Sequence, residues 1–200
     1  MGTHRFATER VNVPKQQRKD KHARFRYLFD RSRPDYLAVR YNALTPPPPR
    51  GQQDIFAFAA ERAASVLVNK PLAQGLLTGK YDHRQPPSFG PGDHRLRKAW
   101  FTPPALQIIQ DGLQPLRSRF GSTSRDLVRV ALHYCLQHAD NAAILVGFTS
   151  PEQIAQNLTA VGDPLTADDL DFIRAIAGQL QHALDAAGEV FLDEKEQQEP

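Results

Sequence analysis

One cysteine, one methionine and one tryptophan among 200 residues remove several kinds of chemistry before any motif is read. A lone thiol, Cys135, cannot form an internal disulfide, and a reducing compartment suits it. Set in the apolar run from Leu127 to Leu136, it reads as a small buried residue rather than a reactive one. No stretch comes near the roughly 18 apolar residues of a membrane span, and the N-terminus carries charges where a secretory leader needs an apolar run. These absences imply a soluble, cytoplasmic protein with no membrane partner.

Zinc-site spacing is also missing. His83, His94, His133 and His138 do not fall at ligand intervals with Cys or carboxylates, and His133 and His138 are five apart, so they do not share a helical face. There is no Gly-x-Ser-x-Gly elbow and no P-loop. Metal and covalent-nucleophile chemistry are set aside on that basis.

What is present is 40% hydrophobic content, enough for one domain with a sizeable core, and an uneven charge. Residues 1–34 carry ten Lys or Arg against three acids, while the last twelve residues carry five acids against Lys195. The first segment reads as a basic, poorly ordered arm with a short helix at 23–30, and residues 187–200 as an acidic, disordered tail. Nucleic acid is the lesser reading of such an arm, which is more often merely solvated.

Between these ends, apolar runs alternate with helical patterns. Tyr36 to Tyr41 reads as a strand; Pro46 to Pro49 must form an extended connector, with docking to an SH3-like partner as the lesser alternative. Asp54 is placed to cap a helix through Ala64, and Ser65 to Asn69 is a second strand. A long segment rich in Pro, Gly, His and Arg then runs to about residue 102. Residues 104–119 and 124–138 read as helices, Ala142 to Gly147 as a third core strand, and Thr166 as the cap of a final helix with Leu170, Ile173, Ala177, Leu180 and Leu184 on one face. The rhythm is that of parallel βαβ units with helices outside.

Two junctions stand out. After the second strand, Lys70-Pro71-Leu72-Ala73-Gln74-Gly75 leads into a glycine loop in which Gly75 and Gly79 let the backbone turn or approach a ligand closely. After the third strand, Thr149-Ser150-Pro151-Glu152-Gln153 places a hydroxyl cap, an early proline and a capping-box acid or amide at a helix start. Strand ends of parallel α/β folds are where ligands bind, and helix N-termini suit anions. Each junction is equally explained as an ordinary connection.

Taken in order, Tyr41-Asn42, the run Lys70 to Tyr81, Asp93-His94-Arg95 and the run Val146 to Asn157 resemble the C-terminal half of an aldo-keto reductase, over about residues 35–180. The resemblance implies an α/β fold, a partial (β/α)8 barrel over residues 35–186 whose three strands are the sixth to eighth. It implies NADP(H) as cofactor, with NAD(H) as the alternative. Asn69, Pro71, Leu72, Gln74 and Gly75 would lie along the nicotinamide and pyrophosphate. Gly147, Thr149, Ser150, Gln153, Gln156 and Asn157 would lie at the adenosine end.

The chain departs from the family pattern at Ala38, where a carboxamide-holding Gln is usual, and at Asn69, where an aromatic usually stacks on the nicotinamide. The cations that usually hold the 2′-phosphate are missing around 147–153. The family's catalytic Asp, Tyr, Lys and His belong to the first four strands, for which this chain has no counterpart, so no catalytic residue is assigned. The expectation is an NAD(P)(H)-dependent carbonyl reductase segment that lacks its catalytic tetrad. The alternative is a degenerate nucleotide- or partner-binding module, and self-association or a complementing half barrel would cover the open strand edges.

Overall fold

The computed structural model describes residues 21–45 and 53–188. The basic residues 1–20, the polyproline run and the acidic residues 189–200 lie outside the described residues.

Helix α1 (Lys21–Ser32) leads into β1 (Tyr36–Arg40), followed by α2 (Ile55–Ala60) and β2 (Ser65–Asn69). Three short 3-10 turns (Ala73–Thr78, His94–Arg97, Ala99–Phe101) occupy the long segment after β2. Helices α3 (Pro103–Gly112), α4 (Gln114–Phe120) and α5 (Ser124–Leu136) then lead to β3 (Ala142–Leu145), α6 (Pro151–Ala160) and α7 (Ala167–Ala186).

The three strands form one parallel sheet in the order β1-β2-β3. Strand periodicity divides it into two faces. Leu37, Val39, Val66 and Val68 are buried on the helix-covered face. Leu37, Val66 and Val68 have no exposed surface, and each such side chain contributes about 2 kcal/mol of burial. The registers Tyr36↔Ser65, Ala38↔Leu67↔Ala143 and Arg40↔Asn69↔Leu145 define the other face, where Tyr36 is 55% and Leu145 52% exposed.

Helix ends follow the expected caps with three differences. Asp54 accepts from the Phe56 and Ala57 amides at 2.7 and 3.4 Å and Thr166 closes a capping box with Asp169, while Thr123, not named from sequence, closes another with Asp126. Helix α2, however, stops at Ala60 rather than Ala64, because Ala63 turns left-handed (φ 53°) and the Ala64 amide bonds back to Ala59 at 2.9 Å. The single helix expected over 104–119 is two, because Pro115 has no amide to continue the ladder past Leu113.

At α6, the third difference, the Ser150 hydroxyl makes no cap bond to the backbone; Gln153 Oε1 instead accepts from the Thr149 amide at 2.8 Å. Cys135 is fully buried in α5, as expected, with its thiol donating to the Tyr41 carbonyl at 3.6 Å.

Candidate functional site

The β2 exit is folded tightly against its own chain. Lys70, Ala73 and Gln74 all have left-handed φ values, 58°, 48° and 58°, and Gly75 follows at 91°. Side chains bearing a Cβ pay about 1–2 kcal/mol for each such conformation, so the surroundings must hold them there. Asn42, buried at the turn after β1, donates from Nδ2 to the Lys70 carbonyl at 3.0 Å. Ala73 N donates to Lys70 O and Gly75 N to Leu72 O, each at 2.9 Å. The Thr78 hydroxyl donates to Gly75 O at 2.8 Å, and the Tyr81 hydroxyl to Gln74 O at 3.0 Å.

Positive φ favours glycine at 75 and 79 (φ 91° and 66°). A Cβ on Gly75 would stand 2.6 Å from Lys80 Cε, and one on Gly79 (φ 66°) would collide with the Arg117 guanidinium and Leu127. Arg117 anchors the end of the loop, donating from Nη2 to Gly79 O and from Nη1 to Ser122 O, each at 2.9 Å.

Between this loop and the start of α6 runs a groove of about 510 Å³. One wall is Lys70, Pro71, Leu72, Gln74 and Gly75, with Thr78, Lys80 and Arg95. The other is Gly147, Phe148 and Thr149 with Gln153, Gln156 and Asn157, and Ser124 and Val128 of α5 also line it. Nine of the eleven residues named from sequence therefore share one groove. Asn69, at the end of β2, and Ser150, whose hydroxyl bonds to the Glu152 carboxyl, are not in its lining.

Sequence reading did not assign three cations to this site. Lys70, Lys80 and Arg95 line the groove, with no carboxylate among the lining residues. Arg95 is fixed by Asp93, whose Oδ2 accepts from Nη2 at 2.6 Å, and by the Tyr81 hydroxyl at 3.2 Å. The guanidinium holds the Asp93 carboxyl down at about 2. The Asp93-His94-Arg95 signal was legible; its reach into the groove depends on the path of the long segment, which periodicity does not encode.

Two features of the groove bear on what it could hold. Gln74 Oε1 is buried and has no hydrogen-bond partner, so it is an acceptor without a donor. Gly147 is open on its Cβ side, while the Lys80 stem closes over Gly75.

A second cavity, about 340 Å³, lies between β1, α2, α5 and α7. Tyr41 Oη is 2.9 Å from His138 Nδ1, and His138 Nε2 is 3.5 Å from Asp54 Oδ2. This chain resembles a proton relay, but burial, with the neighbouring Tyr134 adding to it, drives the Tyr41 hydroxyl far above its ordinary value. A proton donor in carbonyl reduction needs the opposite shift.

The described residues thus form one side of a (β/α)8 barrel with a groove at the C-terminal ends of its strands, where that fold places its ligands. The aldo/keto reductase family model matches residues 26–177, and the chain belongs to that family. It is 31% identical over 133 residues to the NADH-specific methylglyoxal reductase of Escherichia coli K12, covering 65% of this chain and 39% of that protein. The glycerol dehydrogenase of Gluconobacter oxydans shares its fold, with a TM-score of 0.59 at 20% identity, over 78% of this chain and 46% of that one. The chain spans less than half the length of these relatives. Among the described residues no helix is long and apolar enough to cross a membrane.

Proposed function

We propose that this chain carries the nicotinamide-nucleotide side of an aldo-keto reductase site, in a cytoplasmic setting, and serves NAD(P)H-dependent carbonyl reduction. The observation that carries the proposal is the convergence of the β2 loop and the α6 start on one groove lined by three cations and no carboxylate. Lys70, Lys80 and Arg95 would neutralise a pyrophosphate, and Gln153, Gln156 and Asn157 would take the adenosine end. Gln74 Oε1 would accept a hydrogen bond from the nucleotide. A bound reduced nicotinamide would supply the hydride.

NAD(H) is preferred over NADP(H) in this proposal. Residues 147–157 contain no cation for a 2′-phosphate and do contain Glu152 at the start of α6. The Escherichia coli relative is NADH-specific by name. The part this proposal gives the chain is to orient and neutralise the nucleotide; burial raises the Tyr41 and Tyr134 hydroxyls of the second cavity above their ordinary value, the opposite of what a proton donor to the carbonyl oxygen needs.

Fluorescence titration of the folded chain with NADH and NADPH tests this, with methylglyoxal reduction followed alongside. Saturable binding, tighter for NADH, with no turnover by the chain alone, is expected. A folded sample that binds neither nucleotide would overturn the reading.

A further inference from the structure

We infer that the second cavity, between β1, α2, α5 and α7, is a binding site for a small aromatic carboxylate, separate from the nucleotide groove. At about 340 Å³ it lies at the small end of the roughly 300–1,000 Å³ that ligand pockets span, room for one substituted ring and not for a dinucleotide. It shares no lining residue with the groove. The inference therefore does not rest on the nucleotide reading, and either can fail alone.

An aromatic wall is already assembled. The Tyr41 and Tyr134 rings stack at 5.7 Å and 12°, and Phe56 meets Tyr41 edge-on at 5.0 Å. Val39, Ile55 and Ala177 add aliphatic surface to the lining. A flat ring entering this space gains apolar burial together with the oriented contacts that aromatic pairs prefer.

Charge selects the acid. Two guanidinium groups, Arg40 and Arg174, line the cavity against one carboxylate, Asp54. That carboxylate is engaged: it caps α2 through the Phe56 and Ala57 amides and stands 3.5 Å from His138 Nε2. Burial keeps the Tyr41 and Tyr134 hydroxyls protonated, so neither adds negative charge. Arg174 donates from Nη1 to Asp171 at 2.7 Å and reaches the Tyr134 hydroxyl, and a guanidinium with five N–H donors retains capacity for an incoming carboxylate. A neutral ring of the same shape would gain no charge-assisted bond.

Helix α7 leaves the entrance open. Arg174 and Gly178, one turn apart, are exposed, while Ala177 and Gln181 on the same wall are buried. Glycine is the poorest helix former after proline, yet Gly178 lies well inside α7, and nothing beyond its own helix backbone stands within 4 Å of its Cβ position. Packing among the described residues does not require glycine there; a large side chain would instead stand in the cavity mouth.

The test is a titration of the full chain with benzoate and with benzamide, its neutral counterpart, read by ligand-observed NMR in the parent protein, Gly178→Leu and Arg174→Gln. Benzoate should saturate one site and bind about tenfold tighter than benzamide, the difference a charge-assisted hydrogen bond makes. Gly178→Leu introduces a strong helix former, so it should keep or raise the thermal midpoint while abolishing benzoate binding. Arg174→Gln should weaken benzoate about tenfold and leave benzamide unchanged; it decides alone if the leucine variant does not fold. Saturating NADH should not displace benzoate. The inference is overturned by no saturation with benzoate, by equal affinity for the two probes, by benzoate affinity unchanged in either folded variant, or by displacement with NADH. Absence of NADH binding with benzoate binding intact would count against the nucleotide proposal alone.

Discussion

The Tyr81 hydroxyl holds Gln74 from behind, donating to its main-chain oxygen at 3.0 Å while the Gln74 backbone sits at φ 58°. The same hydroxyl accepts from Arg95 Nη1 at 3.2 Å, so one atom couples the left-handed turn to a groove cation. Tyr81→Phe keeps the ring against Phe101, 5.4 Å away, and removes both bonds. A neutral hydrogen bond is worth about 1 kcal/mol, so NADH affinity should fall about three- to tenfold. Titration of both proteins under the same conditions checks this, and an unchanged Kd would disconnect Tyr81 from the groove.

Gly79→Ala should destabilise the fold by about 2–4 kcal/mol, since it adds left-handed strain to a collision with Arg117 and Leu127. The urea midpoint measures it. Were the midpoint to stay put, the Arg117 anchor would not be tight.

Burial, with the Arg129 charge adding to it, lowers the His133 pKa below its ordinary 6.5. The unfolded chain takes up a proton as pH falls through 6.5, while the folded chain keeps this ring neutral. The stability that His133 contributes is therefore complete above pH 6.5 and is lost as pH falls toward the depressed folded value. His133→Leu should flatten that part of the profile and be relatively more stable in mild acid. Denaturation curves at a series of pH values in this range decide it.

Cys135 has no exposed surface, and burial pushes its thiol well above the ordinary value. A thiol reagent should leave the native protein unlabelled and modify it once in denaturant. Rapid native labelling would contradict the packing of α5 against β3 and Tyr41.

β1 and β2 were legible because Leu37, Val39, Val66 and Val68 alternate into one buried face; β3, expected as a core strand over 142–147, ends at Leu145 and has no fully buried residue, because it lies at the margin of the described sheet. The groove residues on the two junctions were legible through a four-part motif. Other features were concealed by residue type. Ala63 ends α2 in a conformation that glycine usually advertises, and Pro115 sits inside an apolar pattern strong enough to mask its break. Asn42 belonged to a recognised pair, but its hold on Lys70 spans 28 residues and no local spacing announces it. Lys80 and Arg95 reach the groove through turns whose direction is set by tertiary contacts such as Arg117 on Gly79.

The order β1-β2-β3 also bears on synthesis. Each strand lies beside the one made just before it, so a chain emerging from the ribosome never has to thread a late strand between two earlier ones. Growth is by addition at one margin. A sheet assembled that way can be divided at a connection and rejoined, within one gene or between two, without disturbing the pairings on either side of the seam.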